Sequence, residues 1–369
     1  MRGAGGHGRS SALAFLELRP SRPGRRAPDS LRGGSEISGR AFSPDAVRGL
    51  PSGLPRIPPR DPELFPREPD RMKYVVAGGS GFVGRSLLPE IQRRGSTALV
   101  LTRSSKKTES DVPTHRWDME CNKSLVRVVE SADALVNLTG EPVMDKRWSP
   151  WQKETIFKSR ILSTRALVEA IGKASRKPRV LVSSSAVGYY GYRGNEVVDE
   201  ASSSGFDFLA DTCRKWEEEA LKAERWGIRV VIIRIGVVLG RGGGALEKLA
   251  APYRFYMGGP LGTGTQWMSW IHRRDLVRMI LWAAETEHIR GVYNGTAPNP
   301  CRMRDLSRSL GKALKRPNLF YVPSFMLKLL LGERSLLLLT SQRVQPRRVR
   351  DAGFRYEYET LDKAFQNLL

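Results

Sequence analysis

Cysteine and histidine are scarce in this chain. Its 369 residues include three cysteines and four histidines. The cysteines (Cys121, Cys213 and Cys301) stand far apart, are odd in number and lack the short spacing of metal ligands. The pattern disfavours a disulfide framework and a zinc site, and it is typical of a protein from a reducing compartment. We predict no metal site.

A long uninterrupted apolar run is also missing. The most apolar stretch, FMLKLLLGERSLLLL at residues 325–339, is broken by Lys328 and by the Gly-Glu-Arg triplet at 332–334. A membrane-spanning helix needs about 20 predominantly apolar residues in succession. The stretch instead predicts two short amphipathic helices, and we predict no transmembrane span.

Acidic side chains are outnumbered by basic ones. The chain has 61 Lys and Arg residues against 38 Asp and Glu residues, which gives a net charge of +23. Such an excess suits an anionic partner, such as nucleic acid, anionic lipid or a phosphorylated small molecule. The sequence contains no basic patch interleaved with aromatic residues and no nucleic-acid-binding motif. We therefore predict no nucleic-acid partner.

Residues 1–71 differ in composition from the rest of the chain. They contain 13 Arg, 11 Pro and 10 Gly, and the first 16 residues include no acid. A segment of this kind buries too little apolar surface to offset its ordering entropy, so we predict a disordered extension. Its Arg-rich, initially acid-free composition is typical of an organelle transit peptide. A plain extension, or upstream sequence preceding a true start at Met72, is the alternative.

A glycine-rich turn opens the part of the chain predicted to fold. An apolar strand at residues 74–76 precedes the spacing Gly-x-x-Gly-x-x-Gly, and a helix with regularly spaced apolar residues follows it. Glycines there let the backbone approach a pyrophosphate, which the helix N-terminus attracts, and let the helix pack on the strand. The order of strand, turn and helix predicts a dinucleotide site. Its predicted residues are Gly78, Ser80, Gly81, Phe82, Val83 and Gly84.

The end of the second predicted strand, ALVLT, bears on which dinucleotide binds. NAD enzymes usually place Asp or Glu there to accept a hydrogen bond from the ribose 2′-hydroxyl. Here Arg103 follows the strand, with Lys106 and Lys107 close behind. A carboxylate would repel a 2′-phosphate, whereas a guanidinium binds it through two hydrogen bonds. The sequence therefore predicts NADP as the cofactor, with a solvated loop charge as the alternative role of Arg103.

Strands and helices alternate along the chain. Near-continuous β-branched segments such as RVVIIRIGVV are typical of strands covered on both faces. The alternation predicts an α/β fold with a doubly wound parallel sheet, whose ligands bind at the carboxyl ends of the strands. We predict a dinucleotide-binding core at 72–294, with substrate-wall insertions near 240–270. A smaller helical C-terminal subdomain at 295–369 is predicted on the substrate side.

Several motifs point jointly to a known family. They include GGSGFVG, VNLTGEPV, SSSAVGYYG, RIGVVLGRGGGAL and GGPLGTGTQWMSWIH, and they lie between about residues 73 and 368. In this combination the chain resembles an atypical extended short-chain dehydrogenase/reductase of the NAD(P)-binding epimerase family. It is most similar to the subgroup of bacterial SulA-like proteins and the Giant Chloroplast proteins of plastid division. The resemblance implies a Rossmann core that binds NADP.

The resemblance also implies positions along the cofactor. Thr102 and Arg103 would lie at the ribose phosphate, and Leu138 and Thr139 along the ribose and pyrophosphate. Two charged residues of the next helix would face the same cleft; these are Glu154 and Arg160. Six residues apart on a helix, they differ in direction by about 120° and would touch different parts of a ligand. A surface charge is the alternative role of Glu154.

The turn SSSAVGYYG holds the candidate catalytic residues. In active members of the superfamily, a Ser beyond this strand polarises the substrate and a Tyr-x-x-x-Lys pair on the next helix exchanges the proton. That helix, FDFLADTCRKWEEEA, contains no Tyr, and Ala210 and Arg214 stand where the pair is expected. We therefore predict that the pair is missing or rebuilt around Ser185 and Tyr189. Alternatively, the tyrosines pack under the nicotinamide and the serines satisfy strand-end backbone groups.

These features leave more than one function open. The first is an NADP(H)-dependent oxidoreductase or epimerase acting on an unidentified small molecule. The second is a catalytically weak NADP-binding protein that acts through organelle-division or envelope partners. The third is a basic structural or nucleic-acid-binding module. The resemblance favours the chloroplast, with the mitochondrion, or the cytoplasm if residues 1–71 are not a transit peptide, as alternatives.

Overall fold

The computed structural model describes residues 71–103 and 111–369. The predicted transit peptide, apart from Arg71, and the loop lysines Lys106 and Lys107 lie outside the described residues. The strands are β1 (Lys73–Ala77), β2 (Thr97–Thr102), β3 (Thr114–Arg116), β4 (Ala134–Asn137), β5 (Val180–Ala186), β6 (Val197–Val198), β7 (Arg229–Ile235), β8 (Val237–Leu239), β9 (Trp267–Met268), β10 (Trp270–His272), β11 (Gly291–Gly295), β12 (Cys301–Arg302) and β13 (Arg343–Val344).

The helices follow the strands in alternation over the first part of the described chain. They are α1 (Gly84–Arg93), α2 (Lys123–Glu130), α3 (Pro150–Lys173), α4 (Phe208–Leu221), α5 (Gly244–Arg254), α6 (Arg273–Glu285), α7 (Met303–Leu314), α8 (Ser324–Leu331), α9 (Leu336–Leu339), α10 (Arg347–Asp351) and α11 (Leu361–Leu368). Short 3₁₀ turns occupy Val187–Tyr190, Lys222–Trp226 and Gly332–Ser335.

The main sheet has seven strands in the order β11-β7-β5-β4-β1-β2-β3. Every adjacent pair is parallel. From β1 the chain proceeds to β2 and β3 on one side, and the later strands are added on the other side beyond β4. The order therefore reverses between β1 and β4, which is where such sheets bind ligands. The prediction of a doubly wound parallel sheet is confirmed.

Side chains of β1 alternate between two cores. Tyr74 and Val76 pack on one face of the sheet with the apolar side of α1 and with α6. Val75 and Ala77 pack on the other face with α2 and α3. Period-two alternation of buried residues on both faces explains why the strand sequences are apolar throughout.

A third core joins distant parts of the chain. It contains Leu246 and Tyr253 of α5, Leu306 of α7 and Phe365 of α11. These residues come from both sides of the predicted boundary at residue 294, so the substrate-side region interleaves the 240–270 segment with the C-terminal helices. The division into 72–294 and 295–369 stays a prediction. No helix of the described chain has the length and apolar character needed to cross a bilayer.

Candidate cofactor and substrate sites

The glycine turn between β1 and α1 is built by close backbone contacts. Gly78 has a φ of +79°, and a Cβ on it would lie 2.7 Å from the carbonyl oxygen of Leu138. A Cβ on Gly84 would lie 2.3 Å from the carbonyl oxygen of Gly79. The first glycine thus lets the turn pass beside the end of β4, and the last lets α1 start against the turn. Only glycine meets these requirements without moving the backbone.

A cavity of about 620 Å³ opens beside this turn. Its lining comes from the carboxyl ends of β1, β2, β3 and β4, with one serine of α3, and we refer to it as the first cavity. Predicted cofactor residues in the lining are Gly78, Ser80, Gly81, Thr102, Arg103, Leu138 and Thr139. The structure therefore brings most of the predicted cofactor residues together at one opening.

Two residues of the glycine motif point elsewhere. Phe82 lies against Gly240 and Gly244 and beneath the guanidinium of Arg273, whose central carbon is 4.7 Å from the ring centroid. Val83 is partly buried against the core on the α1 side. Neither side chain lines the first cavity, so only their backbone groups remain available to a ligand at the helix N-terminus.

The turn after β4 is fixed by a buried polar cluster. Asn137 is fully buried, and its amide donates a 2.8 Å hydrogen bond to Thr164. Its amide oxygen accepts a hydrogen bond from the backbone N–H of Thr139 at 3.2 Å. The Thr139 hydroxyl also lies 2.7 Å from that of Ser163 on α3. This cluster holds Leu138 and Thr139 in position at the mouth of the first cavity.

A second cavity of about 440 Å³ lies further along the sheet edge. Apolar side chains form much of its wall, together with polar residues of α3 and α4. Among its lining residues are Trp148, Arg160, Phe208, Leu209, Thr212, Cys213 and Leu337. Its mixed lining suits an organic substrate with a few polar groups.

Arg160 lies where the two cavities adjoin. Its guanidinium lines the second cavity and donates hydrogen bonds to the carbonyl oxygens of Glu141, at 3.1 Å, and Ile156, at 3.0 Å. Glu141 itself lines the first cavity. Burial lowers the pKa of Arg160, and no ion pair to it is found in the described part of the chain. A partly buried cation without a counter-charge among the described residues favours an anionic ligand nearby.

Glu154 does not share that environment. It is exposed on α3 and forms an ion pair of 2.7 Å with Lys158, one turn further along the helix. It lines neither cavity. The structure therefore separates the two helix residues that the resemblance assigned to one cleft.

Ser185 and Tyr189 both contact a buried ion pair formed by Glu217 and Arg234. Ser185 is 3 % exposed, and its hydroxyl donates a 2.6 Å hydrogen bond to Glu217 of α4. Two 2.8 Å hydrogen bonds join Glu217 to Arg234 of β7. The guanidinium of Arg234 lies over the Tyr189 ring, 3.4 Å from its centroid, and donates to the Tyr190 hydroxyl at 3.1 Å. Neither Ser185 nor Tyr189 lines either cavity.

Glu217 and Arg234 are the polar residues that sequence reasoning missed here. The charge of Arg234 within the apolar strand RVVIIRI was the available signal, because a charge in a strand covered on both faces needs a buried partner. Burial raises the pKa of Tyr190 to about 12, although Arg234 opposes the shift. The phenol therefore stays protonated at neutral pH, and it donates to Asn294 at 2.8 Å.

The two residues of α4 that line the second cavity are not the two expected from the sequence distance to Ser185. Its N-cap Asp207 accepts hydrogen bonds from the backbone N–H groups of residues 209 and 210. In this phase Leu209 and Cys213, four residues apart, line the cavity. Ala210 is fully buried elsewhere, and Arg214 is exposed and pairs with acids of its own helix. The positions expected for the catalytic pair, Ala210 and Arg214, therefore each lie one residue after the residues of α4 that line the cavity.

The parallel sheet, the glycine turn and the cavity at the strand ends define a dinucleotide-binding protein of the Rossmann class. The chain belongs to the NAD dependent epimerase/dehydratase family, whose model matches residues 74–294. Residues 322–368 match a second family model, a domain of unknown function called DUF1731.

Curated relatives cover most of the described chain. An Arabidopsis thaliana protein named epimerase family protein SDR39U1 homolog, chloroplastic, is 42% identical over 304 residues, which is 81% of this chain and 87% of the relative. An epimerase family protein of Staphylococcus haemolyticus is 37% identical over 80% of this chain and 99% of its own length. Membership of the Giant Chloroplast subgroup stays a prediction.

Solved structures give the same family. The human epimerase family protein SDR39U1, crystallised with NADPH, matches with a TM-score of 0.74 and 33% identity over 80% of this chain and 99% of that chain. A nucleoside-diphosphate sugar epimerase from Corynebacterium glutamicum matches with a TM-score of 0.66 and 32% identity, over 80% of this chain and 58% of that chain.

Proposed function

We propose that this protein binds NADP(H) in the first cavity and is an oxidoreductase or epimerase of reduced or altered activity. The observation that carries the proposal is the end of β2, where Thr102 and Arg103 line the cavity in the place that an NAD enzyme gives to an acid. The close backbone approach at Gly78 and Gly84 fits a pyrophosphate beside the N-terminus of α1. The human relative that was crystallised with NADPH supports the assignment.

Each part of the first cavity has a separate task in this proposal. Arg103 neutralises the 2′-phosphate, and Thr102 lies beside it at the strand end. The backbone of Gly78 and Gly81 leaves room for the pyrophosphate. Thr139 and the neighbouring Leu138 border the ribose. Arg160, at the junction with the second cavity, supplies a further positive charge to the bound dinucleotide.

The second cavity is proposed to hold the substrate. The chemistry that the cofactor supplies when bound is hydride transfer. Trp148 and Phe208 offer apolar surface to the substrate. The Thr212 hydroxyl donates to the carbonyl oxygen of Phe208 at 2.7 Å and is left as an acceptor. Leu209 and Cys213 face the cavity where a phenol and a lysine would exchange the proton. Burial raises the pKa of the Cys213 thiol to about 11, so it is a poor proton acceptor at neutral pH.

Ser185 and Tyr189 remain the predicted members of a rebuilt catalytic site. For either side chain to reach a substrate, the buried cluster around Glu217 and Arg234 has to rearrange, because it now holds the Ser185 hydroxyl and covers the Tyr189 ring. A proton-transfer group typically contributes about 10² to 10⁴-fold in rate. We therefore expect carbonyl reduction by the ordinary Tyr-Lys route to be absent or very weak.

A partner-dependent role in organelle division is the second candidate. It is favoured by the lack of a phenol on the cavity face of α4 and by exposed apolar side chains on α8, such as Phe325 and Leu329, which are 68% and 75% exposed. Both roles require NADP(H) binding. Turnover of NADPH against a panel of carbonyl compounds favours the enzyme, and binding without turnover across that panel favours the second role.

We further propose that residues 1–71 direct the protein to an organelle, with the plastid as first choice. The name of the Arabidopsis relative, chloroplastic, supports this location. A fluorescent fusion of residues 1–71 should enter the organelle and be cleaved near Met72. Uptake into mitochondria would replace the plastid assignment, and a diffuse, uncleaved cytosolic fusion would contradict both.

The proposed function is tested by titrating the full chain with NADPH and following energy transfer from tryptophan to the nicotinamide. Trp117 lines the first cavity and is a suitable donor. We expect saturable binding that survives Arg127→Gln, a substitution of an exposed arginine on α2. Absence of saturation would contradict the proposal.

A further inference from the structure

A third cavity, of about 420 Å³, lies apart from the two at the strand ends. Residues of α1, of the start of α6 and of the end of α11 line it. None of its lining residues belongs to the first or second cavity. Its charged lining residues, among those that the structure describes, are Glu90, Arg93, Arg241, Arg273, Arg274 and Arg278, together with His272.

Three of these arginines are neutralised locally. Arg93 pairs with Glu90 at 2.6 Å. Arg274 and Arg278 share Glu357, at 3.1 Å and 3.4 Å, and Arg278 also pairs with a buried aspartate of α6. These ion pairs use the carboxylates described near the cavity rim.

Arg241 and Arg273 have no carboxylate partner in the described part of the chain. Arg241 donates a 3.0 Å hydrogen bond to the carbonyl oxygen of Leu368, which fixes the side chain at the cavity. Arg273 lies over the Phe82 ring. Burial and the nearby Arg85 lower the pKa of Arg273, as expected for a cation whose charge is not compensated. Two anchored guanidinium groups therefore face the same cavity.

His272 adds a buried donor without an acceptor. The residue is 3 % exposed, and its ring stacks on Tyr358 with centroids 3.7 Å apart. Its Nδ1 accepts a 3.1 Å hydrogen bond from the backbone N–H of Arg274, so the neutral ring carries its proton on Nε2. Nε2 is buried, and no described residue meets hydrogen-bond geometry with it, although the nearby Asn367 side chain acts to raise the pKa of the ring. An unsatisfied buried N–H carries a desolvation penalty, which an acceptor on a ligand would relieve.

The helix beginning at this point adds to the positive potential. His272 is the N-cap of α6, a helix of 13 residues. The free N–H groups and the dipole at a helix N-terminus favour anions. The start of α6 thus brings the helix end, His272 and Arg273 to this cavity, and Arg241 adds a second guanidinium from another part of the chain.

We propose that this third cavity binds the phosphate group of a soluble phosphorylated compound, at a site distinct from the dinucleotide. A phosphate has three terminal oxygens, enough to accept bonds from two guanidinium groups and an imidazole N–H together. The ligand is a soluble compound rather than a membrane lipid because His272 is buried, so the anionic group has to enter the cavity to reach Nε2. Such a site would let a phosphorylated metabolite bind while NADP(H) is present.

The test uses the full chain with ¹⁵N-labelled histidine, saturated with NADPH, and inorganic phosphate and pyrophosphate as probes. The signal of the Nε2–H of His272 is assigned by its loss in His272→Gln. We expect a saturable shift with both probes, absent with chloride at equal ionic strength. Arg241→Gln and Arg273→Gln should each weaken binding about tenfold, as the loss of one charge-assisted hydrogen bond implies. Arg127→Gln, on the opposite layer, should change it less than twofold.

Several results would overturn the proposal. One is the lack of a saturable shift, and another is an equal response to chloride. A third is an unchanged affinity for the phosphate probes in both Arg241→Gln and Arg273→Gln, provided that their melting temperatures and NADPH affinities match those of the parent protein. A response that is seen without NADPH but is absent at saturating NADPH would place the phosphate in the dinucleotide site instead. Binding to phosphatidylcholine vesicles containing phosphatidic acid, without a response to the soluble probes, would contradict a soluble ligand.

Discussion

The hydroxyl of Ser185 donates a 2.6 Å hydrogen bond to Oε1 of Glu217, a carboxylate that also binds Arg234 through two 2.8 Å bonds. The serine expected at the centre of catalysis thus forms part of a buried ion-pair cluster. This cluster links β5, α4 and β7 through side-chain hydrogen bonds. The relationship gives the turn SSSAVGYYG a definite structural role.

Removing one charge of that cluster should strongly destabilise the fold. Glu217→Gln leaves the guanidinium of Arg234 buried without a counter-charge, which typically costs about 3–5 kcal/mol. Glu218→Gln, at the next residue of α4, is the matched control because that carboxylate is exposed, and it should have little effect. Urea denaturation of both variants measures the difference. Similar midpoints for the two variants would contradict the role of the cluster.

The stability of the fold should fall in mildly acidic solution because of His272. Burial lowers the pKa of His272 from 6.5 to about 4. The imidazole is therefore protonated at a higher pH in the unfolded state than in the folded state. The contribution of the neutral ring to the free energy of unfolding is fully present above about pH 6.5 and is lost as the pH falls towards 4. The free energy of unfolding should decrease by about 3 kcal/mol in total.

Denaturation in phosphate-free buffer between pH 7 and 5 measures this effect. Asp133 and Glu219, whose pKa values are lowered, lose their contribution only in more acidic solution. The raised pKa of the buried Asp275 acts in the opposite direction as the pH falls. His272→Gln should flatten the pH dependence of unfolding in this range, whereas His115→Gln should preserve it. An unchanged slope in His272→Gln would show that another group is responsible.

Arg160 and Glu154 should differ in their effect on the cofactor. Arg160→Met removes a partly buried cation next to the first cavity and should weaken NADPH binding about tenfold. Its effect on unfolding should be small, since burying the charge opposes folding in the free protein. Glu154→Gln should leave NADPH affinity unchanged, because that carboxylate is exposed and pairs only with Lys158. Calorimetric titration measures the NADPH affinity of both variants. A larger loss of affinity in Glu154→Gln than in Arg160→Met would contradict the geometry.

The cavity face of α4 can be tested by restoring a phenol and a lysine. Leu209→Tyr with Cys213→Lys places both groups on the cavity side, where the lysine should lower the pKa of the introduced phenol. Ala210→Tyr with Arg214→Lys serves as the control, because Ala210 is buried away from the cavity. Spectrophotometric titration should find a lowered phenol pKa in the first variant only, together with gained NADPH-dependent carbonyl reduction. A lowered pKa in the control instead would refute the helix phase described above.

Local patterns predicted much of the fold and of the cofactor site. The glycine spacing and the residues after ALVLT are short-range signals, and Gly78 and Arg103 do line one cavity. The helix face of α4 was misjudged by one residue, because a spacing counted from Ser185 does not set the phase that Asp207 fixes by capping.

Long-range partners could not be read from the sequence. The Glu217–Arg234 pair depends on how α4 packs across two strands, and nothing local distinguishes Glu217 from its acidic neighbours. The third core likewise combines α5, α7 and α11, whose separation along the chain hides their contact. In both cases tertiary packing decides which polar or apolar residues meet.

The central claim is that Arg103 selects NADP(H), and calorimetric titration of the full chain with NADPH and NADH, repeated on Arg103→Ala, tests it most directly. We predict that the parent protein binds NADPH at least about tenfold more tightly than NADH, because the guanidinium contributes about 1.5–3 kcal/mol to binding the 2′-phosphate. Arg103→Ala should erase that preference and leave NADH affinity nearly unchanged. Equal or tighter binding of NADH by the parent protein, or a preference that survives in Arg103→Ala, would contradict the account.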